Sequence, residues 1–432
     1  MSTKGIVTNT VPQPVMLVAA VLDGGSRAAS EEHLDELVLL AETAGYQVAG
    51  RAIQEMRRPV AATFLGQGKV EEIGRLLREF ACKRVVLDQD LTPHQAAKLE
   101  KAWHAAVTDR SGLILEIFSS RARSREARTQ VELASLHYLL PRLARRWTHL
   151  SRQEGRMGAR GGEGEKQIEL DRRIIRRRIS RLERELVQIK KQRINRRHGR
   201  RGLYSMALVG YTNSGKSTLF NRLTDAGTLV ENRLFATLDP LRRRLSGTPD
   251  PPMVLTDTVG FIRKLPHHLV ASFRSTLEEA GDADCLVQVV DAADENLAEK
   301  MQTTEDVLED LGLTRQPRLL VFNKIDGLDS QAPLTRLARR HPEAVFVSAR
   351  TGAGLTDLRR RLMGIRQRCQ VEEDVRIAPG DARALAALHR YGRVLDICQE
   401  DAGLRIRVRA SMSGMGRIRR ALAQAAGEVV RA

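Results

Sequence analysis

The stretch that most constrains this 432-residue chain is MALVGYTNSGKSTLFN, residues 206–221. Met206-Ala207-Leu208-Val209 is an apolar run of the kind that forms a strand covered on both faces. Gly210-Tyr211-Thr212-Asn213-Ser214-Gly215-Lys216-Ser217 then fits the phosphate-loop pattern GxxxxGK[ST], and Thr218 to Leu223 continue it as a helix. Glycines let the backbone wrap phosphates, so that N–H groups and the positive helix end meet the negative charge. Lys216 is placed to reach the β- and γ-phosphates, and the Ser217 hydroxyl to bind Mg²⁺. A strand, this loop and a helix commit the middle of the chain to a parallel α/β sheet.

Four further elements follow in the order that a guanine-nucleotide domain requires. Thr237, in FATLDP, is placed to close on Mg²⁺ and the γ-phosphate as a switch residue. Asp257 follows the apolar run MVL and is the strand-end carboxylate that holds Mg²⁺ through water. Thr258 and Val259 lead to Gly260, whose N–H can meet the γ-phosphate. Loss of that phosphate would release both switch segments. Lys216, Thr237 and Gly260 are therefore the catalytic candidates. Asn323-Lys324-Ile325-Asp326 follows RLLVF and supplies base selection: the Asp326 carboxylate accepts from guanine N1 and N2, donors that adenine lacks. Asn323 ties loops together near N7, and the Lys324 stem covers the ring. Ser348-Ala349-Arg350, after VFV, presents backbone N–H to guanine O6.

Phe261 stands where many such enzymes carry a glutamine that orients the attacking water. A phenyl ring cannot hold water, so slow intrinsic hydrolysis is expected, with alignment supplied by a partner, a metal ion or a switch rearrangement. Asn213 has two readings, a ligand for K⁺ near the phosphates or a loop-stabilising hydrogen bond.

Charge divides the rest of the chain. The net charge is +18, yet residues 111–204 alone hold 25 Lys and Arg against 10 Asp and Glu, a local +15. Residues 1–110 are nearly neutral and alternate strands (15–23, 46–53, 83–88, 105–109) with helices, which predicts a small parallel α/β domain. Its Gly66-Gln67-Gly68-Lys69 turn could hold an anion, but a plain turn is the simpler reading.

Residues 111–147 and 166–200 carry apolar stripes, Leu133, Leu136, Leu140, Leu143 and Trp147 against Ile175, Ile179, Leu182, Leu186 and Ile189. These predict an antiparallel helical hairpin with a kink or stagger at Pro141. Between them, the glycine-rich loop 148–165 carries Arg152, Arg156 and Arg160, which with Trp147 are candidate RNA contacts. RNA or DNA binding is favoured for this segment; solvated helix faces joined by a connector are the alternative. The expected domains are thus 1–110, the basic hairpin 111–204, the nucleotide domain 205–370 and a small α+β domain 371–432 that follows an acidic linker, Glu372-Glu373-Asp374.

Four scattered cysteines give no zinc or disulfide framework, no apolar run reaches the ~18 residues of a membrane span, and the N-terminus lacks a signal-peptide layout. A cytoplasmic monomer is the expectation.

These motifs, with FLGQGKVEEI (64–73), LDQDLTPHQAAKLE (87–100), DRSGLILEIF (109–118), RRWTHLSRQEG (145–155), GGEGEKQIELDRR (161–173), LFATLDP (234–240) and DTVGFIRKLP (257–266), resemble the HflX family of ribosome-associated GTPases. The resemblance spans essentially the whole chain, including the hydrophobic residue at Phe261. Lys166, where a threonine is common, and Pro141 are the departures. The resemblance implies binding to the large ribosomal subunit, its RNA and proteins, with residues 148–165 reaching toward the peptidyl-transferase centre. It further implies hydrolysis stimulated by the ribosome, ATP use in some members, and splitting of stalled or idle ribosomes under stress. The alternatives are a GTPase that remodels RNA or assists ribosome assembly, and a nucleotide-gated RNA-binding protein without splitting activity.

Overall fold

The computed structural model describes residues 12–146, 161–198, 204–224, 234–235, 237–247, 252–263, 280–281, 283–313, 316–368, 370–400 and 403–429. Its contacts divide between two units. The first takes in residues 1–188 and, from further along the chain, 232–239; most of the remainder forms the second.

The first unit is built on a four-stranded parallel sheet in the order β2-β1-β3-β4: β1 Gln13–Val21, β2 Tyr46–Glu55, β3 Arg84–Leu87 and β4 Ala106–Asp109. Strand β1 is central, and Val15 to Val21 are all buried, as a strand covered on both faces requires. Helices α1 (Arg27–Thr43), α2 (Gln67–Glu79) and α3 (Pro93–Trp103) connect the strands, and α4 (Arg110–Arg121) follows β4. Thr92 starts α3 with a capping box shared with Gln95. Gly66, in extended conformation, is the N-cap of α2, and its N–H donates to Gln54 Oε1 at 3.0 Å.

Residues 111–146 form two helices rather than one. Helix α4 ends at Arg121, and α5 (Arg125–Arg146) begins after a new cap at Ser124, whose Oγ accepts from the Ala127 N–H at 3.1 Å. Helix α5 runs on through Pro141. The partner helix, α6 (Gly161–His198), starts inside the expected loop, because a long helix propagates back through glycines more cheaply than it nucleates. Leu133, Ile179 and Leu182 are buried between the two helices, flanked by Leu136, Leu140, Ile175 and Leu186. Arg178 holds Glu132 bidentately at 2.6 and 2.8 Å, and Arg125 holds Glu185 at 2.7 Å. The second pair lies seven residues back on α5 and seven forward on α6, as antiparallel helices demand. Trp147, Arg152, Arg156 and Arg160 lie outside the described residues.

One carboxylate joins this arm to the sheet. Asp109 caps α4 through the Gly112 N–H (2.9 Å) and accepts from the Tyr138 hydroxyl (2.8 Å) and from the Arg142 guanidinium, both on α5. Burial, reinforced by the Asp109 charge, raises the Tyr138 phenol well above its ordinary pKa, so it stays a donor. Beside it, the buried Arg110 pairs with Asp88 at 2.9 Å and with Glu36.

The second unit contains a six-stranded sheet in the order β10-β9-β8-β5-β7-β6, parallel except for β6. Its strands are β5 Ser205–Val209, β6 Leu241–Arg244, β7 Val254–Asp257, β8 Cys285–Asp291, β9 Arg318–Asn323 and β10 Val345–Phe346. Helices α7 (Lys216–Thr224), α8 (Leu297–Asp310), α9 (Gln331–Arg340) and α10 (Leu355–Arg368) accompany them. Met206, Leu208, Leu219, Phe220, Leu255, Val287 and Val321 centre the core. This is the doubly wound α/β class that the sequence predicts.

A three-stranded antiparallel sheet closes the chain, with β11 Gln370–Ile377, β12 Arg393–Glu400 and β13 Gly403–Ser411 in the order β11-β13-β12. Helices α11 (Ala382–Tyr391) and α12 (Met412–Val429) complete it. Glu372-Glu373-Asp374 is the middle of β11 and not a linker. Arg409 and Arg407 on β13 pair with Glu372 and Asp374 across the ladder at 2.7 and 3.0 Å, so the acidic run is matched strand to strand.

Candidate nucleotide site

The site lies at the carboxyl ends of β5, β7 and β9, where parallel α/β sheets place their ligands. Gly210 leaves β5 at φ +143°, and a Cβ there would meet the Val289 carbonyl oxygen at 2.2 Å. Gly215 has φ +86°, and its Cβ would lie 2.2 Å from Asn323 Nδ2. Both positions therefore need glycine for conformation and for space. Asn213 between them also takes a left-handed φ of 58°.

The lysine of the loop is folded back on its own backbone. Lys216 Nζ donates to the carbonyls of Gly210 (3.0 Å) and Tyr211 (2.7 Å). Burial pushes its pKa down to about 8, partly offset by Asp257 and aided by Lys324. Ser217 Oγ donates to Asp257 Oδ2 at 2.7 Å, so the hydroxyl and the carboxylate meet at one point. Thr212 Oγ1 and Ser214 Oγ are buried without a hydrogen-bond partner, polar atoms that suit an anion in the loop.

Gly260 lies close beneath the loop: a Cβ there would stand 2.8 Å from Thr212 Cα and 2.9 Å from Lys216 Nζ. Thr258 is turned inward, its hydroxyl donating to the Leu208 carbonyl at 2.6 Å, and Val259 is buried. Phe261 has a role that the sequence does not advertise. Its N–H donates to Gly210 O (3.0 Å), its carbonyl accepts from the Thr212 N–H (2.7 Å), and its ring is buried with Ala207, Val209 and Leu286. It is a strut between the phosphate loop and the DTVG turn.

The base-selecting residues converge as well. Asn323 Nδ2 donates to the Ser214 carbonyl at 2.9 Å, while its Oδ1 accepts from the Ala349 N–H at 2.9 Å, so one amide links the phosphate loop to the Ser-Ala-Arg loop. Ser348 Oγ donates to Asp326 Oδ1 at 2.6 Å, and the exposed Arg350 side chain lies 3.6 Å from Asp326 Oδ2. Lys324 (φ +62°) pairs with Asp291 at 2.7 Å. Asp291 and Arg222 escape a motif search. Arg222 on α7 donates to the carbonyls of Ala349 (3.1 Å) and Arg350 (2.8 Å), holding the last loop from the first helix. Thr218 lies in the first turn of α7. Thr237 is the exception, because its segment belongs to the first unit.

Comparison with known proteins decides what this arrangement is. Residues 31–119, 121–200 and 205–324 match, in turn, the families described as GTP-binding GTPase N-terminal, GTP-binding GTPase Middle Region and 50S ribosome-binding GTPase. The GTPase HflX of Magnetococcus marinus is 43% identical over 413 residues, 95% of either chain. That of Escherichia coli is 40% identical over 382 residues, 88% of this chain and 89% of the relative. This chain belongs to the HflX family of GTPases. Among solved structures, a GTP-binding protein from Sulfolobus solfataricus in complex with GDP is 26% identical, covering 82% of this chain and 99% of that one, with a TM-score of 0.44.

As an HflX-family member with an intact phosphate loop, the chain binds and hydrolyses GTP, a reaction that typically uses Mg²⁺. Ser217 and Asp257, an oxygen pair at 2.7 Å, fit the hard-cation chemistry of Mg²⁺. Among the described residues no helix is long and apolar enough to cross a membrane, and no three His, Cys, Asp or Glu gather as a further metal cluster.

Proposed function

We propose that this GTPase works on the large ribosomal subunit, delivering its basic helical arm to ribosomal RNA, and that it parts stalled or idle ribosomes in a GTP-governed cycle. The observation that carries this reading is the arm itself: a local charge of +15 over residues 111–204, whose two long helices are seamed by Leu133, Ile179 and Leu182 and tied to the sheet by Asp109. The match of residues 205–324 to the 50S ribosome-binding GTPase family supports the same partner.

Within the site, Lys216 would draw charge from the β/γ-bridge and Gly260 N–H would orient the γ-phosphate. Ser217, Thr237 and Asp257 would hold Mg²⁺, which when bound offsets phosphate charge. Asp326 selects guanine, with Asn323, Lys324 and Ser348 to Arg350 framing the base. Because Phe261 is a strut, alignment of the attacking water falls to the ribosome or to K⁺ near Asn213. Equal single-turnover rates in Na⁺ and K⁺ would exclude the cation.

Sucrose-gradient profiles of joined ribosomes with GTP or a non-hydrolysable analogue test the main proposal. The joined peak should fall with either nucleotide, and release of the protein afterwards should need GTP. A joined peak that persists under both leaves RNA remodelling or simple ribosomal RNA binding as the function.

A further inference from the structure

The LFATLDP run does more than carry a threonine. Leu234, Phe235 and Leu238 are buried, and the segment groups with the first unit. Phe235, at a left-handed φ of 54°, meets Phe118 on α4 edge-on with ring centroids 4.7 Å apart. The Leu234 N–H donates to Thr43 Oγ1 at the end of α1, 3.3 Å away. On the other side of Thr237, the Asp239 carboxylate accepts from the N–H groups of Arg123 (3.1 Å) and Ser124 (3.0 Å) and from the Ser124 hydroxyl. Ser124 is the cap of α5, so this carboxylate sits at the positive end of the arm's first helix.

We infer that Asp239 is a positioning residue that fastens the switch segment to the root of the basic arm, so that nucleotide state and arm orientation are coupled through Thr237. The inference rests on Thr237 acting as the switch residue proposed above. Ordering a free loop costs conformational entropy for every residue fixed, and anchors on both sides of Thr237 remove most of that cost in advance. GDP makes no use of Thr237, whereas GTP does. The hook therefore favours GTP over GDP, and by reciprocity GTP must bias the start of α5.

The test uses the full chain with Mg²⁺, fluorescent GDP and a fluorescent non-hydrolysable GTP analogue. Hydrogen exchange at the amides of residues 123–130 is followed in each nucleotide state. Asp239→Ala should cut the GTP-over-GDP preference by about tenfold, a typical coupling factor, with GDP affinity held within about twofold. It should also erase the nucleotide-dependent difference in exchange at the start of α5. Asp239→Asn, which keeps an acceptor oxygen, should restore part of both. Ser124→Ala and Phe235→Leu should shift both readouts in the same direction, and they carry the test if Asp239→Ala does not fold. An unchanged preference and an unchanged exchange difference in Asp239→Ala, with Thr237→Ala impaired, overturn the coupling alone. A Thr237→Ala variant that discriminates as well as wild type overturns the switch assignment and the coupling with it. No ribosome enters the assay, so its outcome is separate from ribosome splitting.

Discussion

The phosphate loop and the switch segment are held by opposite means. Around the loop the frame is backbone against backbone or amide: no room exists for a methyl group at Gly210 or Gly215, and Phe261 bridges the loop on both of its polar sides. Around Thr237 the frame is side chains, namely two apolar pegs and one carboxylate, gripping helices more than a hundred residues away in sequence. A frame of the first kind has no intermediate setting. Contacts of the second kind, each a modest net contribution of roughly 0.5–1.5 kcal/mol, can be traded by a partner. Recognition of phosphate and base is therefore rigid, and response to the nucleotide is adjustable.

The sharpest way to break this contrast is Gly215→Ala. With a left-handed φ and a 2.2 Å clash, it should weaken GDP binding by at least about a hundredfold, the equivalent of roughly 3 kcal/mol of strain and displacement. Fluorescence titration measures it, and a loss under fivefold would mean that the loop is softer than described. Asp326→Asn should come next. Losing a charged acceptor should cost guanine nucleotides about tenfold to a hundredfold and shift preference toward xanthine nucleotides. Competition between GTP and XTP reads this directly, and unaltered preference would remove Asp326 from base selection.

Reversing Arg152, Arg156 and Arg160 to glutamate should lower ribosome affinity by about tenfold or more and flatten its salt dependence by roughly two units of log–log slope, while sparing free-state GTP affinity. Weakened GTP binding would instead make the loop part of the nucleotide site. Below this in size lies the tenfold shift expected for Asp239→Ala.

The smallest effect is a proton. Burial has lowered Lys216 from 10.5 to about 8, so between those values the unfolded chain binds a proton that the folded, nucleotide-free chain has lost. Stability from this group accordingly rises with pH across that window. Phosphate charge restores the ammonium, so nucleotide binding near pH 8.5 should take up a fraction of a proton, and affinity should decline as pH rises further. Calorimetry in buffers of different ionisation heats detects the uptake; buffer-independent heats would contradict it.

What the sequence made legible divides along the same contrast. Gly210 to Ser217, Asp257 to Gly260 and Asn323 to Asp326 are short runs whose order along the chain reflects strand ends, so spacing alone nominates them. Leu234, Phe235 and Asp239 were legible only as the neighbours of Thr237, because their partners Thr43, Phe118 and Ser124 are distant in sequence. Arg222 and Asp291 were missed for the same reason. Periodicity found the arm's apolar seam but not the break at residues 122–124, since a serine cap inside a long helical pattern is a local choice made by tertiary contacts. Pro141 does not end the helix: α5, fixed at Tyr138 and Arg142 on either side of it, continues to Arg146.

The Asp109 joint has a mechanical consequence. A carboxylate shared by the end of the sheet, the start of α4 and two residues of α5 leaves little play at Tyr138 and Arg142, well along the helix from its root at Ser124. Helix α5 has 22 residues, so at ~1.5 Å per residue the joint at Tyr138 and Arg142 lies roughly 20–25 Å from its root and about 10 Å from Arg146, and a tilt of about 5° about the joint sweeps the root through roughly 2 Å. Such a beam gears displacement up in one direction and force up in the other. A shift of about two ångströms where Asp239 grips the root becomes roughly one ångström or less at Arg146, and the force there is correspondingly larger.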